Sequence, residues 1–160
     1  MNWRVLYLHP RCEKKMAEYC KFHKLECYLP LRRQTRIYQR RKVTFENPVF
    51  PGYLFASFDW EGRLALLKSN NIVRVLEPLD EQQLLFELDQ IRKALAVDPT
   101  LVPCSSLTKG RSVRILSGPF MGIEGVVAEL KGTTKVRLNV EMIGQAVAVE
   151  VDKDFLELVD

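Results

Sequence analysis

Residues 47–58, Asn-Pro-Val-Phe-Pro-Gly-Tyr-Leu-Phe-Ala-Ser-Phe, constrain the fold more than any other stretch of this chain. Pro48, Pro51 and Gly52 interrupt regular structure and introduce a run that is apolar on both sides. With a period of two, Tyr53, Phe55 and Ser57 point one way, and Leu54, Ala56 and Phe58 point the other. A half-exposed antiparallel strand should alternate apolar with polar residues. This one does not, so both faces need cover. The cover is either the rest of the chain or a separate molecule.

The neighbouring sequence supplies strands and helices in turn. Residues 3–10 read as a strand closed by Pro10. Residues 11–24 read as an amphipathic helix, with Met16, Tyr19, Cys20 and His23 at i, i+3, i+4 and i+7. Residues 26–32 are extended, because Pro30 disfavours helix at Leu29. Residues 32–42 form a basic stretch without helical periodicity. A short helix over 61–70, a strand over 72–78 and a helix over 80–96 follow; Leu84, Leu88, Ile91 and Leu95 line one side of the last.

After Val97 the texture changes. Residues 98–108, with Pro99, Pro103 and two serines, read as a linker. Beyond it every signal is β. Val136, Leu138, Val140 and Met142 alternate with Lys135, Arg137, Asn139 and Glu141, and no 3.6-residue period competes over 133–151. Short strands at this spacing argue for a small curled barrel. The expectation is an α+β fold: an antiparallel sheet flanked by helices over 1–97, a linker over 98–108, and a small SH3-like β-barrel over 109–160.

Composition narrows the function classes. At 47% hydrophobic and 28% charged, the chain has the make-up of a folded protein. No apolar run approaches the roughly 20 residues of a membrane helix, and the start lacks signal-peptide features, so a cytoplasmic monomer without membrane contact is expected. Cys12, Cys20, Cys27 and Cys104 form no CxxC pair, which predicts idle reduced thiols and no metal site. No Ser/His/Asp or Cys/His constellation and no GxxxxGK loop can be assembled, so neither an enzyme nor a cofactor is expected. Residues 1–97 carry 17 basic against 11 acidic side chains, whereas 98–160 carry 7 against 9. A polyanion should therefore meet the first part. Its densest cluster is Arg32, Arg33, Arg36, Arg40, Arg41 and Lys42, and such clustering is easier to understand if phosphates neutralise it.

Two motifs carry a resemblance. Val113-Arg114-Ile115, Gly118-Pro119-Phe120, then Gly122, Gly125 and Val126 resemble the KOW motif. Trp3 and Tyr7 on a first strand, the basic helix, Cys27-Tyr28-Leu29-Pro30, the basic segment and Pro48-Val49-Phe50-Pro51-Gly52-Tyr53-Leu54-Phe55 together resemble the N-terminal domain of the NusG family of transcription elongation factors. The chain's shortness and its Cys-Tyr-Leu-Pro segment are closest to specialised paralogues of the RfaH type.

The resemblance implies a docking surface for the clamp helices of the RNA polymerase β′ subunit, formed by Tyr7, Tyr53 and Phe55 with Phe50 nearby. It also implies DNA contact. The basic segment, including Arg40 and Arg41, would lie near upstream DNA, and His9, Lys15, Tyr19 and His23 near the non-template strand. The barrel hairpin holding Met142, Ile143 and Gln145 would meet a small-subunit ribosomal protein. Here the sequence departs from the housekeeping pattern, which has an aromatic residue in place of Ile143 and a basic one in place of Gln145. That departure weighs against contact with the termination factor Rho and puts the ribosome contact in question too. The activity implied is suppression of pausing or termination. The alternative is an RNA-binding, ribosome-associated module, which predicts a basic barrel.

Overall fold

The computed structural model describes residues 2–105, 110–130 and 133–159. Residues 106–108 of the expected linker, Lys109 and Gly132 lie outside the described residues. The chain forms two compact units, Met1–Pro30 with Phe50–Leu85, and Leu31–Val49 with Phe86–Asp160.

The first unit is built on a four-stranded antiparallel sheet. Its strands are β1 (Asn2–Leu8), β2 (Glu26–Tyr28), β5 (Tyr53–Phe58) and β6 (Ile72–Leu76), in the order β2-β5-β1-β6. The doubly apolar strand is thus an inner strand, as its composition requires. Register pairs Leu6 with Leu54 and Val5 with Phe55, which separates the two faces. Leu6, Leu8, Leu54, Ala56 and Phe58 pack with Met16 and Cys20 of α1 (Glu13–Phe22) and Leu66 of α2 (Trp60–Leu67) in one core cluster. Both helices therefore cover the same face. Each fully buried side chain of this kind stabilises by about 1.5–3 kcal/mol. Asp59 starts α2 by accepting the Gly62 N–H at 2.8 Å.

Helix α1 is shorter than expected. It ends at Phe22, His23 is its C-cap, and Lys24 adopts φ 59°. Its buried side chains are Glu13, Met16 and Cys20, so His23 leaves the expected apolar stripe and is exposed.

In the second unit, β3 (Leu31–Tyr38) and β4 (Arg41–Pro48) form a separate hairpin. A six-stranded antiparallel sheet holds β7 (Pro103–Ser105), β8 (Ser112–Ile115), β9 (Glu124–Leu130), β10 (Thr133–Val140), β11 (Gln145–Glu150) and β12 (Leu156–Leu158), in the order β12-β8-β9-β10-β11-β7. The fold class agrees with the sequence expectation, and residues 133–140 and 145–150 are strands. Val136, Leu138 and Val140 are buried as their alternation requires. Gly125 has its place because a Cβ there would meet the Arg137 carbonyl oxygen at 2.6 Å.

Two boundaries differ from expectation. Pro103–Ser105, inside the expected linker, pairs with β11 as an edge strand. The hairpin of 31–49 and the end of α3 (Glu81–Val97) group with the β-rich unit, not with the first. Hydrogen bonds explain this. Arg33 N–H donates to the Pro99 carbonyl at 2.6 Å, and the Gln90 side chain accepts the Glu124 N–H at 2.9 Å. Arg137, on the strand face opposite Val136 and Leu138, is buried as well. Burial pushes the Cys104 thiol of β7 up, and Arg137 opposes that shift.

Candidate functional site

The sheet face opposite α1 and α2 carries Val5, Tyr7, Tyr53 and Phe55. It is not uniform. At its centre Phe55 is 0% exposed, opposite Val5 on one side and Tyr28 on the other. At its end Tyr7 is 36% exposed, Tyr53 is half-buried, and their rings lie 5.2 Å apart at 42°. The expected surface of Tyr7, Tyr53 and Phe55 with Phe50 nearby thus contains one buried ring, Phe55, and has a second buried ring, Phe50, beside it. Phe55 sits mid-strand with strands on both flanks, and Phe50, 1% exposed, is tucked into the turn before β5. Of those four rings, Tyr7 and Tyr53 reach solvent.

That end is held firmly. Gly52 has φ 89°, and a Cβ on it would stand 3.2 Å from the Tyr7 ring. Its carbonyl accepts the Leu8 N–H at 2.7 Å, and its own N–H donates to the buried Glu13 carboxylate at 3.0 Å. Glu13 thus ties α1 to the turn that presents Tyr53. Arg74, exposed on β6, pairs in register with Tyr7 and adds a cation to this end. Neither Glu13 nor Arg74 was singled out from sequence. Strand register would have found Arg74, but register is a tertiary property.

The second surface is the β3–β4 hairpin. Its loop is only Gln39-Arg40, both with positive φ, the geometry of a type I′ turn that favours Asn-Gly. Register divides its two sides. One carries Gln34 with Phe45, Arg36 with Val43, and Tyr38 with Arg41; the other carries Arg33 with Glu46, Thr35 with Thr44, and Ile37 with Lys42. Tyr38 and Phe45 meet edge to face at 6.3 Å, with Tyr38 49% and Ile37 71% exposed. Arg32 is occupied at the hairpin root, where its guanidinium donates to the Leu101 and Thr100 carbonyls at 3.0 and 3.3 Å. Among the described residues, no carboxylate forms an ion pair with Arg36, Arg40, Arg41 or Lys42. Exposed rings beside unneutralised guanidinium groups suit a nucleic-acid strand. Val43 and Phe45 escaped the sequence reading because it followed charge.

On α1, Lys15, Tyr19 and His23 follow one another at four-residue spacing. The Tyr19 hydroxyl donates to the Ala65 carbonyl at 2.7 Å, and its ring stacks on His23 at 4.4 Å. Tyr19 is therefore committed within the first unit, while Lys15 and His23 are exposed. His9, also exposed, follows the end of β1.

In the β-rich unit, Glu141–Ile143 form a 3₁₀ turn ended by Gly144 at φ 66°. Met142, Ile143 and Gln145 are all half-buried there. Met142 leaves the strand alternation because β10 stops at Val140. No helix among the described residues is long and apolar enough to cross a membrane.

Comparisons with known proteins agree with one another. The family model described as "Transcription termination factor nusG" matches residues 1–95. The transcription termination/antitermination protein NusG of Deinococcus radiodurans is 29% identical over 132 residues, covering 70% of this chain and 69% of that protein. The protein of the same name from Campylobacter jejuni is 28% identical over 117 residues, covering 66% of this chain and 63% of its own length. The solved structure titled "Domain interaction in Thermotoga maritima NusG" has the same fold, with a TM-score of 0.51 and 19% identity over 99% of this chain and 97% of that one.

Proposed function

The chain belongs to the NusG family of transcription termination and antitermination factors, and from that premise we propose that it binds RNA polymerase through the Tyr7–Tyr53 end of its sheet. The partner surface is the pair of clamp helices of the polymerase β′ subunit. Bridging the clamp keeps the cleft closed on nucleic acid, which suppresses pausing and termination. The observation that carries this reading is the accessible tyrosine pair on the sheet face that α1 and α2 leave free. Tyrosine rings bury a large area at low entropic cost and anchor interfaces. Arg74 beside them supplies a cation for an acidic partner side chain.

The hairpin contributes electrostatics. Arg36, Arg40, Arg41 and Lys42 with Tyr38 and Phe45 contact the DNA of the elongation complex, and His9, Lys15 and His23 contribute a smaller share. The β-rich unit contacts protein instead. The net negative charge of residues 98–160 opposes direct RNA binding by that stretch, and Met142, Ile143 and Gln145 sit at an accessible turn suited to a ribosomal protein. The departures at Ile143 and Gln145 weigh against contact with the termination factor Rho. If Ile143→Asp leaves ribosomal-protein capture undiminished, that turn is not the contact.

The test is an in vitro pausing assay with purified polymerase. Wild-type protein is expected to shorten pauses, and Tyr53→Ala to lose most of that effect while melting at nearly the same temperature. Full activity of a folded Tyr53→Ala would remove the tyrosine pair from the docking surface.

A further inference from the structure

We propose that the β3–β4 hairpin enters the major groove of duplex DNA as a two-stranded ribbon and reads a guanine there through Arg36. This rests on the reading above that the hairpin meets DNA, and adds that the contact selects sequence.

The ribbon has the dimensions of the groove. It forms a sheet of its own with two strands only. Paired strands lie about 4.8 Å apart, and a B-form major groove about 12 Å wide admits such a ribbon. From Arg36 to Arg40 at the tip it extends about 13 Å, which exceeds the groove's depth of about 8.5 Å. Every residue from Arg36 through the turn to Glu46 is exposed, so nothing in the chain blocks entry. Duplex RNA has a deep, narrow major groove that excludes it.

The edges suit the walls of the groove. The Arg33 N–H turns away from β4 to reach the Pro99 carbonyl. In an antiparallel pair this outward direction recurs at every second residue. The N–H groups of Thr35 and Ile37 therefore turn the same way, and those of their partners Thr44 and Lys42 turn out of the opposite edge. Outward N–H groups donate to phosphate oxygens, which line both walls. Arg40, Arg41 and Lys42 bring charge to the same place. These cations also discourage a further β-strand from adding to the edges.

The two sides of the ribbon decide which one meets the bases. On one side the Thr35 and Thr44 hydroxyls lie 3.3 Å apart and engage each other, beside Ile37 and Lys42. On the other, Arg36 stands opposite Val43, between the Tyr38–Arg41 and Gln34–Phe45 pairs. The neighbours of Arg36 are committed: Gln34 accepts from the Asn47 amide at 3.0 Å, and the Tyr38 and Phe45 rings meet edge to face. The Arg36 guanidinium, among the described residues, has no carboxylate partner. A guanidinium fork fits O6 and N7 of guanine, and an apolar side chain such as Val43 fits a thymine methyl. Lys42 lacks that fork. The Arg36 side therefore faces the base edges.

The test selects binders from short random-sequence DNA duplexes with the full-length chain, then measures affinity by fluorescence anisotropy. The selected duplexes should share a guanine-containing motif and bind about tenfold or more tightly than random sequence. Methylation of that guanine at N7, on the major-groove edge, should remove the advantage. Arg36→Ala should bring selected and random duplexes within about twofold of each other, whereas Arg40→Gln with Arg41→Gln should weaken both alike and keep their ratio. Equal binding of all duplexes, still dependent on salt and on Arg40 and Arg41, would overturn groove reading and leave DNA contact in place. A preference untouched by N7 methylation or by Arg36→Ala would overturn it as well. Stronger binding to single strands or duplex RNA, or no nucleic-acid binding at all, would overturn both.

Discussion

Strand β5 and the β3–β4 hairpin use the same antiparallel pairing and end in opposite situations. From Leu54 to Phe58 every residue of β5 is buried. From Arg36 to Glu46 every residue of the hairpin is exposed. An isolated two-stranded ribbon is marginal in water, because it closes few apolar contacts for the entropy it gives up. The hairpin is instead held at its root by Arg32 and Arg33, and along its length by Thr35 facing Thr44 and the Asn47–Gln34 hydrogen bond. A core strand is maintained by what it buries. A presenting strand is maintained by its attachment, which leaves its side chains free for a partner.

Substitutions can break that contrast. Phe55→Ala should have the largest effect, about 3–5 kcal/mol lost in denaturant unfolding, as for a buried ring removed from a core. A loss below about 1 kcal/mol would return Phe55 to the accessible surface. Arg32→Ala should loosen the hairpin root by about 1–3 kcal/mol, read as faster amide exchange in β3 and β4 with exchange in β5 unchanged. Parallel changes in both would deny that the hairpin is independently attached. The double change Gln39→Asn with Arg40→Gly should stabilise the hairpin by about 1 kcal/mol, since Asn-Gly adopts the turn without strain. It should weaken DNA binding at the same time, because a tip cation is lost. The smallest effect on stability belongs to Arg40→Gln with Arg41→Gln, within about 0.5 kcal/mol. Their effect should lie elsewhere, flattening the salt dependence of DNA binding by a slope of about 2 if both contact phosphates. An unchanged slope would assign these cations to solvent.

The elements that bury a face were legible in the sequence. Strand β1, the helices α1, α2 and α3, and the alternation of β10 all follow from apolar spacing, with ends misplaced by a residue or several. The hairpin strands were not legible as strands, since a ribbon exposed on both sides shows no period of two in hydrophobicity. Strand β7 was hidden for another reason: three residues around a proline look like linker until β11 offers an edge to pair with. The aromatic residues divide by type. Tyr7, Phe50, Tyr53 and Phe55 are all aromatic residues in one expected site, and the two that are buried are the phenylalanines while the two that reach solvent are the tyrosines, whose hydroxyls favour contact with water.

Composition and pattern alone therefore determined that this chain makes an antiparallel sheet backed by helices and then a β-rich unit, with its positive charge in the first part. These are consequences of side-chain chemistry repeated along the backbone, and they survive small errors of position. Which face is covered and which cations lack carboxylates were decided only by tertiary structure. Accessibility and proximity depend on strand order and register, and a shift of one residue in register exchanges one face of a strand for the other.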